Sequence, residues 1–197
     1  SAEPQPLIRH HDKDWAITLK EVQAAWRSNT RGLILASPDN PTGSVLERQE
    51  LAAIAQWVKS QNGFVIVDEI YQGLSVQAPW SALSVDDGII VINSFSKYFG
   101  MTGWRLGWLV TPAHMIEDVE RMAQNFFLAP ATVSQHAALA ACTPQVLQEL
   151  EMRRAELLER REFLIQELPS LGWHITGSPE GAFYLYVHIG KTVSDSF

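Results

Sequence analysis

The sequence predicts an α/β fold built on an open, mostly parallel sheet and followed by an α+β unit. Apolar runs of strand length alternate with longer segments whose apolar residues repeat at helical spacing. The runs at residues 64–67 and 89–92 are apolar throughout. Runs of this kind are typical of parallel strands covered on both faces.

The elements of the predicted sheet follow one another along the first 110 residues. A strand is expected at residues 33–36, followed by a turn at residues 41–43. A helix comes next, because one helical face collects Leu51, Ile54, Ala55 and Val58. Further strands are expected at residues 64–67, 89–92 and 106–110.

The pattern changes after about residue 112. Residues 114–142 are expected to be helical with an interruption at Pro130, since proline breaks a helix. A long amphipathic helix is expected over residues 145–168, with one face formed by Leu147, Leu150, Leu157, Leu164 and Leu168. Strands at residues 173–176 and 182–187, joined by a turn, would complete the α+β unit.

The composition excludes several classes of protein. With 46% hydrophobic and 19% charged residues, the 197-residue chain is not globally disordered. The net charge of −7 argues against a nucleic-acid partner, and no apolar run reaches the roughly 18 residues of a membrane span. The six histidines show no metal-ligand spacing, so no metal site is predicted. The single cysteine, Cys142, cannot form an internal disulfide and indicates a reducing, cytoplasmic compartment.

Polar side chains follow each predicted strand. Ligands bind beyond the carboxyl ends of the strands in open α/β sheets, so these side chains are candidate site residues. Lys97 stands out because it lies between an apolar strand and an aromatic segment, a setting that suits an amine nucleophile. A hydroxyl and a guanidinium together suit a phosphate group. The candidates are Asn40, Asp68, Tyr71, Ser94, Lys97 and Arg105.

Three segments resemble the class I/II aminotransferases, which are fold-type I enzymes dependent on pyridoxal 5'-phosphate (PLP). They are residues 38–43 (PDNPTG), residues 67–71 (VDEIY) and residues 94–107 (SFSKYFGMTGWRLG). Their order and spacing both match the family. Residues 181–184 (GAFY) resemble a strand of the family's small domain. The resemblance therefore runs through essentially the whole chain.

The resemblance implies a role for each candidate. Lys97 would form the Schiff base with the cofactor and then move a proton on the substrate. Asp68 would pair with the pyridine nitrogen, while Asn40 and Tyr71 would hydrogen-bond the ring oxygen. Ser94 and Arg105 would hold the phosphate. Lys97, Asp68 and Tyr71 are thus the expected catalytic residues, and all six candidates are expected to bind PLP.

The resemblance also implies that this chain is a piece of a longer protein. The chain begins with Ser1, and neither a glycine-rich phosphate loop nor the family's substrate-carboxylate arginine is recognised in it. We expect residues 1–125 to be part of the large PLP-binding domain, 126–168 to be connecting helices that include the long interdomain helix, and 169–197 to be part of the small domain. The chain alone is expected to be inactive.

The function implied for the whole protein is transfer of an amino group between an amino acid and a 2-oxo acid. The whole protein is expected to be a cytoplasmic homodimer. Two alternatives remain open on the motifs alone. One is a PLP-dependent carbon–sulfur β-lyase, which would share the same lysine, aspartate and arginine. The other is the aminotransferase-like ligand domain of a transcription regulator.

Overall fold

The computed structural model describes residues 2–189 and contains a four-stranded sheet. Strands β1 to β4 lie in the order of the sequence, at Gly32–Ala36, Phe64–Asp68, Ile90–Ser94 and Gly107–Val110. Strands β1, β2 and β3 are parallel, and β4 pairs with β3 antiparallel. The predicted α/β class with a mostly parallel sheet is therefore confirmed.

Five α-helices accompany the strands within residues 2–189. They are α1 (Leu19–Ala25), α2 (Arg48–Ser60), α3 (Ile116–Phe126), α4 (Thr132–Ala141) and α5 (Pro144–Glu167). Two short antiparallel strands, β5 (His174–Ile175) and β6 (Val187–His188), form a separate sheet. No helix in this part of the chain is both long and apolar enough to cross a membrane.

Helix α2 covers one face of the sheet and forms the main hydrophobic core with it. Its residues Leu51, Ile54, Ala55 and Val58 are all buried, as the helical periodicity predicts. They pack with the β2 residues Val65 and Val67 and with neighbours from β1 and β3. Because α2 connects two parallel strands, it crosses the sheet and anchors the β1 and β2 ends that carry candidate residues.

Helix α1 is an element that the sequence analysis missed. Thr18 and Glu21 form a capping box at its start, in which each side chain accepts a hydrogen bond from the other residue's backbone N–H. Val22 is buried and joins the core beside α2. The helix has only seven residues, which is too short for a clear apolar repeat.

The opposite face of the sheet is only partly covered within residues 2–189. Ile34 on β1 is 72% exposed, and Ile92 on β3 is 39% exposed. The expectation that the runs 64–67 and 89–92 are covered on both faces holds only in part for the described residues, since on this second face Ile90 is 6% exposed and Ile66 is half-buried. An apolar run indicates a strand that suits burial, but it does not identify what covers it.

The break at Pro130 and the long helix after it are confirmed, since α3 ends at Phe126 and α5 covers residues 144–167. The predicted apolar face of α5 is buried only near its start. Leu150 is 3% exposed, whereas Leu157 and Leu164 are 37% and 42% exposed. In the second half of the helix a different face is half-buried, with Leu158, Arg161 and Ile165, and Arg161 Nε donates to Pro179 O at 2.8 Å.

The predicted strand over residues 182–187 is wrong, because the strand begins only at Val187. Ala182 has a left-handed φ of 61°, which interrupts the extended backbone. The preceding residues are held by the rest of the chain instead. Gly181 N–H donates to Gly43 O (2.9 Å), and Trp15 Nε1 donates to Thr176 O (3.1 Å). The C-terminal segment is therefore fixed against loops that lie far from it in the sequence.

Candidate active site

The carboxyl ends of β1, β2 and β3 lie at one edge of the sheet. Asp68, the last residue of β2, is level with Ala36 on β1 and with Ile92 on β3. Asp68 Oδ1 accepts a hydrogen bond from Ile70 N–H at 3.0 Å. Ser94 ends β3, two residues beyond Ile92. The parallel register therefore brings a carboxylate and a hydroxyl to neighbouring strand ends.

The loop after β3 carries Lys97 and is tied down by its own hydrogen bonds. Ser94 Oγ accepts from Ser96 N–H (3.0 Å) and donates to Leu106 O (3.1 Å), which bridges the start and end of the loop. Thr102 Oγ1 donates to Ser96 O (2.7 Å). Ser96 is 7% exposed and acts within the turn. These hydrogen bonds therefore fix the backbone of the loop that carries Lys97.

Aromatic side chains surround the Lys97 amine. Lys97 Nζ lies 5.6 Å from the centre of the Tyr71 ring and 5.7 Å from the centre of the Phe183 ring. These distances allow cation–π attraction when the amine is charged. Tyr71 is 5% exposed, and its hydroxyl lies 2.7 Å from that of Tyr184. The chain thus brings two candidate residues, Lys97 and Tyr71, together with two aromatic residues from its C-terminal segment.

The pKa of Tyr184 is raised above its ordinary value. Burial is the main cause, and the hydrogen bond with Tyr71 adds to it. The positive charge of Lys97 acts in the opposite direction. Tyr184 is therefore held in its neutral form, with a proton that it can donate.

Arg105 follows the lysine loop and lies at the surface. Its backbone is left-handed, with a φ of 51°, and its Nη1 donates to Thr102 O at 2.9 Å. The residue before it, Trp104, accepts a hydrogen bond through its carbonyl from the buried hydroxyl of Ser134 at 2.7 Å. A non-glycine residue in this conformation persists where the surroundings determine it, and such residues often occur at functional sites.

Asn40 is exposed, in a loop that is held by hydrogen bonds of its neighbours. The neighbouring Asp39 carboxylate is buried, pairs with Arg9 and accepts from Thr42 Oγ1 at 2.7 Å. Gly43, in the same loop, accepts the hydrogen bond from Gly181 described above. Within residues 2–189, the only close approach between two candidate residues is that of Lys97 to the Tyr71 ring, and no hydrogen bond joins any two of the six. Asp68 and Ser94 end strands β2 and β3, whereas Asn40 and Arg105 are exposed residues of the connecting loops.

Three residues of this region were not assigned a role by the sequence. Phe183 and Tyr184 belong to the segment that resembles the small domain, but nothing in their local pattern points to Lys97. Arg9 lies in a polar stretch with no motif, so its pairing with Asp39 has no local signal. The one signal in the sequence is the glycine at position 181, where the structure shows that a Cβ would lie 2.3 Å from Pro38 Cγ.

Comparisons with known proteins agree with this architecture. The family model for aminotransferase class I and II matches residues 2–197. A valine–pyruvate aminotransferase from Mycobacterium tuberculosis is 41% identical over 169 residues, which cover 84% of this chain and 44% of that protein. A (5-formylfuran-3-yl)methyl phosphate transaminase from Methanocaldococcus jannaschii is 33% identical over 88% of this chain and 47% of its own length.

Solved structures give the same result. An aminotransferase from Mycobacterium tuberculosis superposes with a TM-score of 0.86 at 38% identity, covering 94% of this chain and 48% of that one. Aspartate aminotransferase from Thermus thermophilus with maleate gives 0.85 at 29% identity, covering 92% and 48%. This chain spans about half the length of these relatives. On the match of the family model to nearly all of its residues, the chain belongs to the class I and II aminotransferases.

Proposed function

We propose that this chain supplies the lysine-bearing part of a PLP-dependent aminotransferase site. The single observation that carries the proposal is the position of the Lys97 amine, which stands among aromatic rings beside the carboxyl edge of the sheet. The named relatives support amino transfer, because the two that are cited above are both aminotransferases or transaminases.

The residues at this edge fit the chemical groups of PLP. Lys97 offers a primary amine for the aldehyde, and the Asp68 carboxylate suits a protonated ring nitrogen. Within residues 2–189, no hydrogen bond occupies Asp68 Oδ2. Ser94 and Arg105 offer a hydroxyl and a guanidinium for the phosphate, and Asn40 and Tyr71 offer donors for the ring oxygen. These groups therefore match the cofactor. Lys97 and Arg105 also provide local positive charge for the phosphate, although the net charge of the chain is −7.

Bound PLP supplies an electron sink that stabilises negative charge at the α-carbon of an amino acid. Lys97 first holds the cofactor covalently. Once an amino-acid substrate had displaced it, the free Lys97 amine would take the proton from the substrate α-carbon and would deliver it to the C4′ carbon of the cofactor. Asp68 keeps the ring nitrogen protonated, and Tyr71 holds the ring oxygen by hydrogen bonding. The braced loop between Ser94 and Arg105 fixes the amine relative to the phosphate site.

The same proposal includes the wider organisation. We propose a large-domain part at residues 1–125, connecting helices at 126–168 and a small-domain part at 169–197. The separate pairing of β5 with β6 and the length of α5 support this division. The whole protein would be a homodimer that takes an amino acid and a 2-oxo acid. A cytoplasmic location is supported by the single cysteine, which cannot form an internal disulfide.

A spectral experiment tests the cofactor part of the proposal. The protein expressed from its complete gene is titrated with PLP, reduced with borohydride and digested for mass spectrometry. We expect a visible absorption band and reductive fixation on Lys97. Lys97→Ala should lose both, while Lys59→Ala, at an exposed lysine on α2, should keep both. A band that survives Lys97→Ala would contradict the proposal.

The reaction class needs a separate assay. Valine with pyruvate is the first substrate pair to test, since it is named for a relative that is 41% identical. We expect amino transfer that depends on the added 2-oxo acid. Release of pyruvate from cystathionine without such transfer would instead favour the β-lyase. The same assay on the 197-residue chain alone tests the expectation that it is inactive.

A further inference from the structure

The hydroxyls of Tyr71 and Tyr184 form a close pair in the immediate surroundings of Lys97. Their oxygens lie 2.7 Å apart, and the two rings meet edge to face with centres 5.4 Å apart. Phe183 packs against both rings, at 5.5 Å from Tyr71 and 4.7 Å from Tyr184. The two tyrosines are 113 residues apart in the sequence. This contact is therefore built by the fold and not by a local turn.

The pair contains two hydroxyl protons, but only one of them lies between the two oxygens. The other proton is available to a third group. Tyr71 is 5% exposed and has little access to water, whereas Tyr184 is only half-buried. If Tyr184 donates to Tyr71, the oxygen of Tyr184 can still accept from water. The proton of Tyr71 is then free for an acceptor inside the site. In this arrangement both hydroxyl groups of the pair have hydrogen-bond partners, which favours it once such an acceptor is present.

We propose that Tyr184 is a positioning residue for the PLP site: its hydroxyl donates to Tyr71 and so directs the proton of Tyr71 toward the bound cofactor. This inference rests on the proposed function of Lys97 and Tyr71. A hydroxyl that accepts one hydrogen bond becomes a stronger donor for the next, because hydrogen bonds in a chain polarise one another. Tyr184 therefore acts on the cofactor through Tyr71 and does not contact the substrate.

The contact also links the C-terminal segment to the site. Tyr184 follows closely on Gly181, whose N–H donates to Gly43 O in the loop that carries Asn40. The raised pKa of Tyr184 is consistent with a neutral donor over the ordinary pH range. One short segment thus contacts the Asn40 loop through its backbone and the Tyr71 hydroxyl through a side chain.

The test uses the PLP-loaded protein expressed from its complete gene. The readout is the pH midpoint at which the visible band of the cofactor attached to Lys97 changes. A donor to the ring oxygen stabilises negative charge there, so weakening that donor raises the midpoint. We expect Tyr71→Phe to raise it, and Tyr184→Phe to raise it by about 0.3 to 1 pH unit. Tyr186→Phe, the matched change two residues away, should leave it unchanged.

The double variant separates action through Tyr71 from an independent effect. In a Tyr71→Phe background, Tyr184→Phe should produce no further shift. An equal shift in both backgrounds would overturn the proposal, as would no shift from Tyr184→Phe when Tyr71→Phe gives one. If no band depends on Lys97, the proposed function itself has failed.

A second measurement needs neither the cofactor nor the Tyr184 variant. Tyrosine labelled with ¹³C at the ring carbon that bears the hydroxyl reports ionisation by NMR in the cofactor-free protein. Removing the hydroxyl of Tyr71 should lower the pKa of Tyr184, since the hydrogen bond with Tyr71 contributes to raising it. An unchanged titration of Tyr184 in Tyr71→Phe would show that the hydroxyls are not coupled and would overturn the inference.

Discussion

Replacing Glu69 by alanine removes the acceptor on which a buried backbone N–H depends. Glu69 directly follows Asp68 and is 3% exposed. Its Oε1 accepts from Ala82 N–H at 2.6 Å and from Ser81 Oγ at 3.2 Å. Ala82 is 1% exposed, so its N–H has no route to water once the carboxylate is gone. Glu69→Ala therefore leaves a buried donor without a partner.

The size of the effect follows from this geometry. An unsatisfied buried N–H costs about 1–3 kcal/mol. Ser81 is partly exposed, and its hydroxyl can turn to water at little cost. Losing the buried γ-methylene of Glu69 adds about 1 kcal/mol, while relief of the cost of burying the carboxylate offsets part of this loss. We expect Glu69→Ala to lower the free energy of unfolding by about 2 kcal/mol at pH 7.

Glu69→Gln separates the acceptor from the charge. The amide oxygen of glutamine can still accept from Ala82 N–H. Burial raises the pKa of Glu69 above its ordinary 4.5, the charge of Asp68 adds to this, and the hydrogen bonds from Ala82 and Ser81 oppose it. A raised native pKa means that the stabilising contribution is fully present below about pH 4.5 and is lost as the pH rises through the native pKa. The wild-type protein should therefore lose stability relative to Glu69→Gln across that window.

Urea unfolding of the protein expressed from its complete gene measures all three forms. Tryptophan fluorescence and circular dichroism should be followed together, so that a two-state transition can be checked. At pH 7 the glutamine variant should exceed the alanine variant by at least about 1 kcal/mol. Equal stabilities for the two variants would refute the reasoning, because they would show that Ala82 N–H does not depend on the acceptor. A pH-independent gap between wild type and Glu69→Gln would refute the pKa argument alone.

Two further predictions concern the contacts around the site. Gly181→Ala should lower the free energy of unfolding by about 1–3 kcal/mol, because its Cβ would lie 2.3 Å from Pro38 Cγ. The control Gly103→Ala, with no atom within 4 Å of its Cβ, should change the free energy of unfolding by no more than about 0.5 kcal/mol. Equal losses in urea unfolding would show that the close packing is not the cause. Burial and the hydrogen bond to Glu151 raise the pKa of Tyr98 to about 12, so wild type should lose stability between about pH 10 and 12. Tyr98→Phe should lack that decline, and an identical alkaline profile would count against the contact.

The elements that the sequence predicted well are those specified by local patterns. The apolar face of α2 and the break at Pro130 each depend on residues within a few turns of one another. Three parallel strands followed from apolar runs, with ends misplaced by one or two residues. Local patterns failed where the backbone conformation is set by packing. The left-handed Ala182 interrupts a segment whose composition favours a strand.

The same distinction between local patterns and tertiary packing applies to the residues of the candidate site. Lys97, Asp68 and Ser94 could be predicted because each follows an apolar run, and parallel strands bring such ends to one edge. The buried role of Glu69 could not be predicted, because its partners Ser81 and Ala82 belong to a separate turn. The residues that the sequence left without a role, Tyr184 above all, are those whose partners are distant in the chain.

The sequence by itself determined the α/β class, the family resemblance and the six candidate residues, because residue type and spacing are local properties. Only the tertiary structure decided that Tyr184 meets Tyr71 across 113 residues and that Arg9 pairs with the buried Asp39. It also decided that one face of the sheet is only partly covered within residues 2–189. Such contacts depend on how distant segments pack together. No short stretch of sequence contains both of their partners.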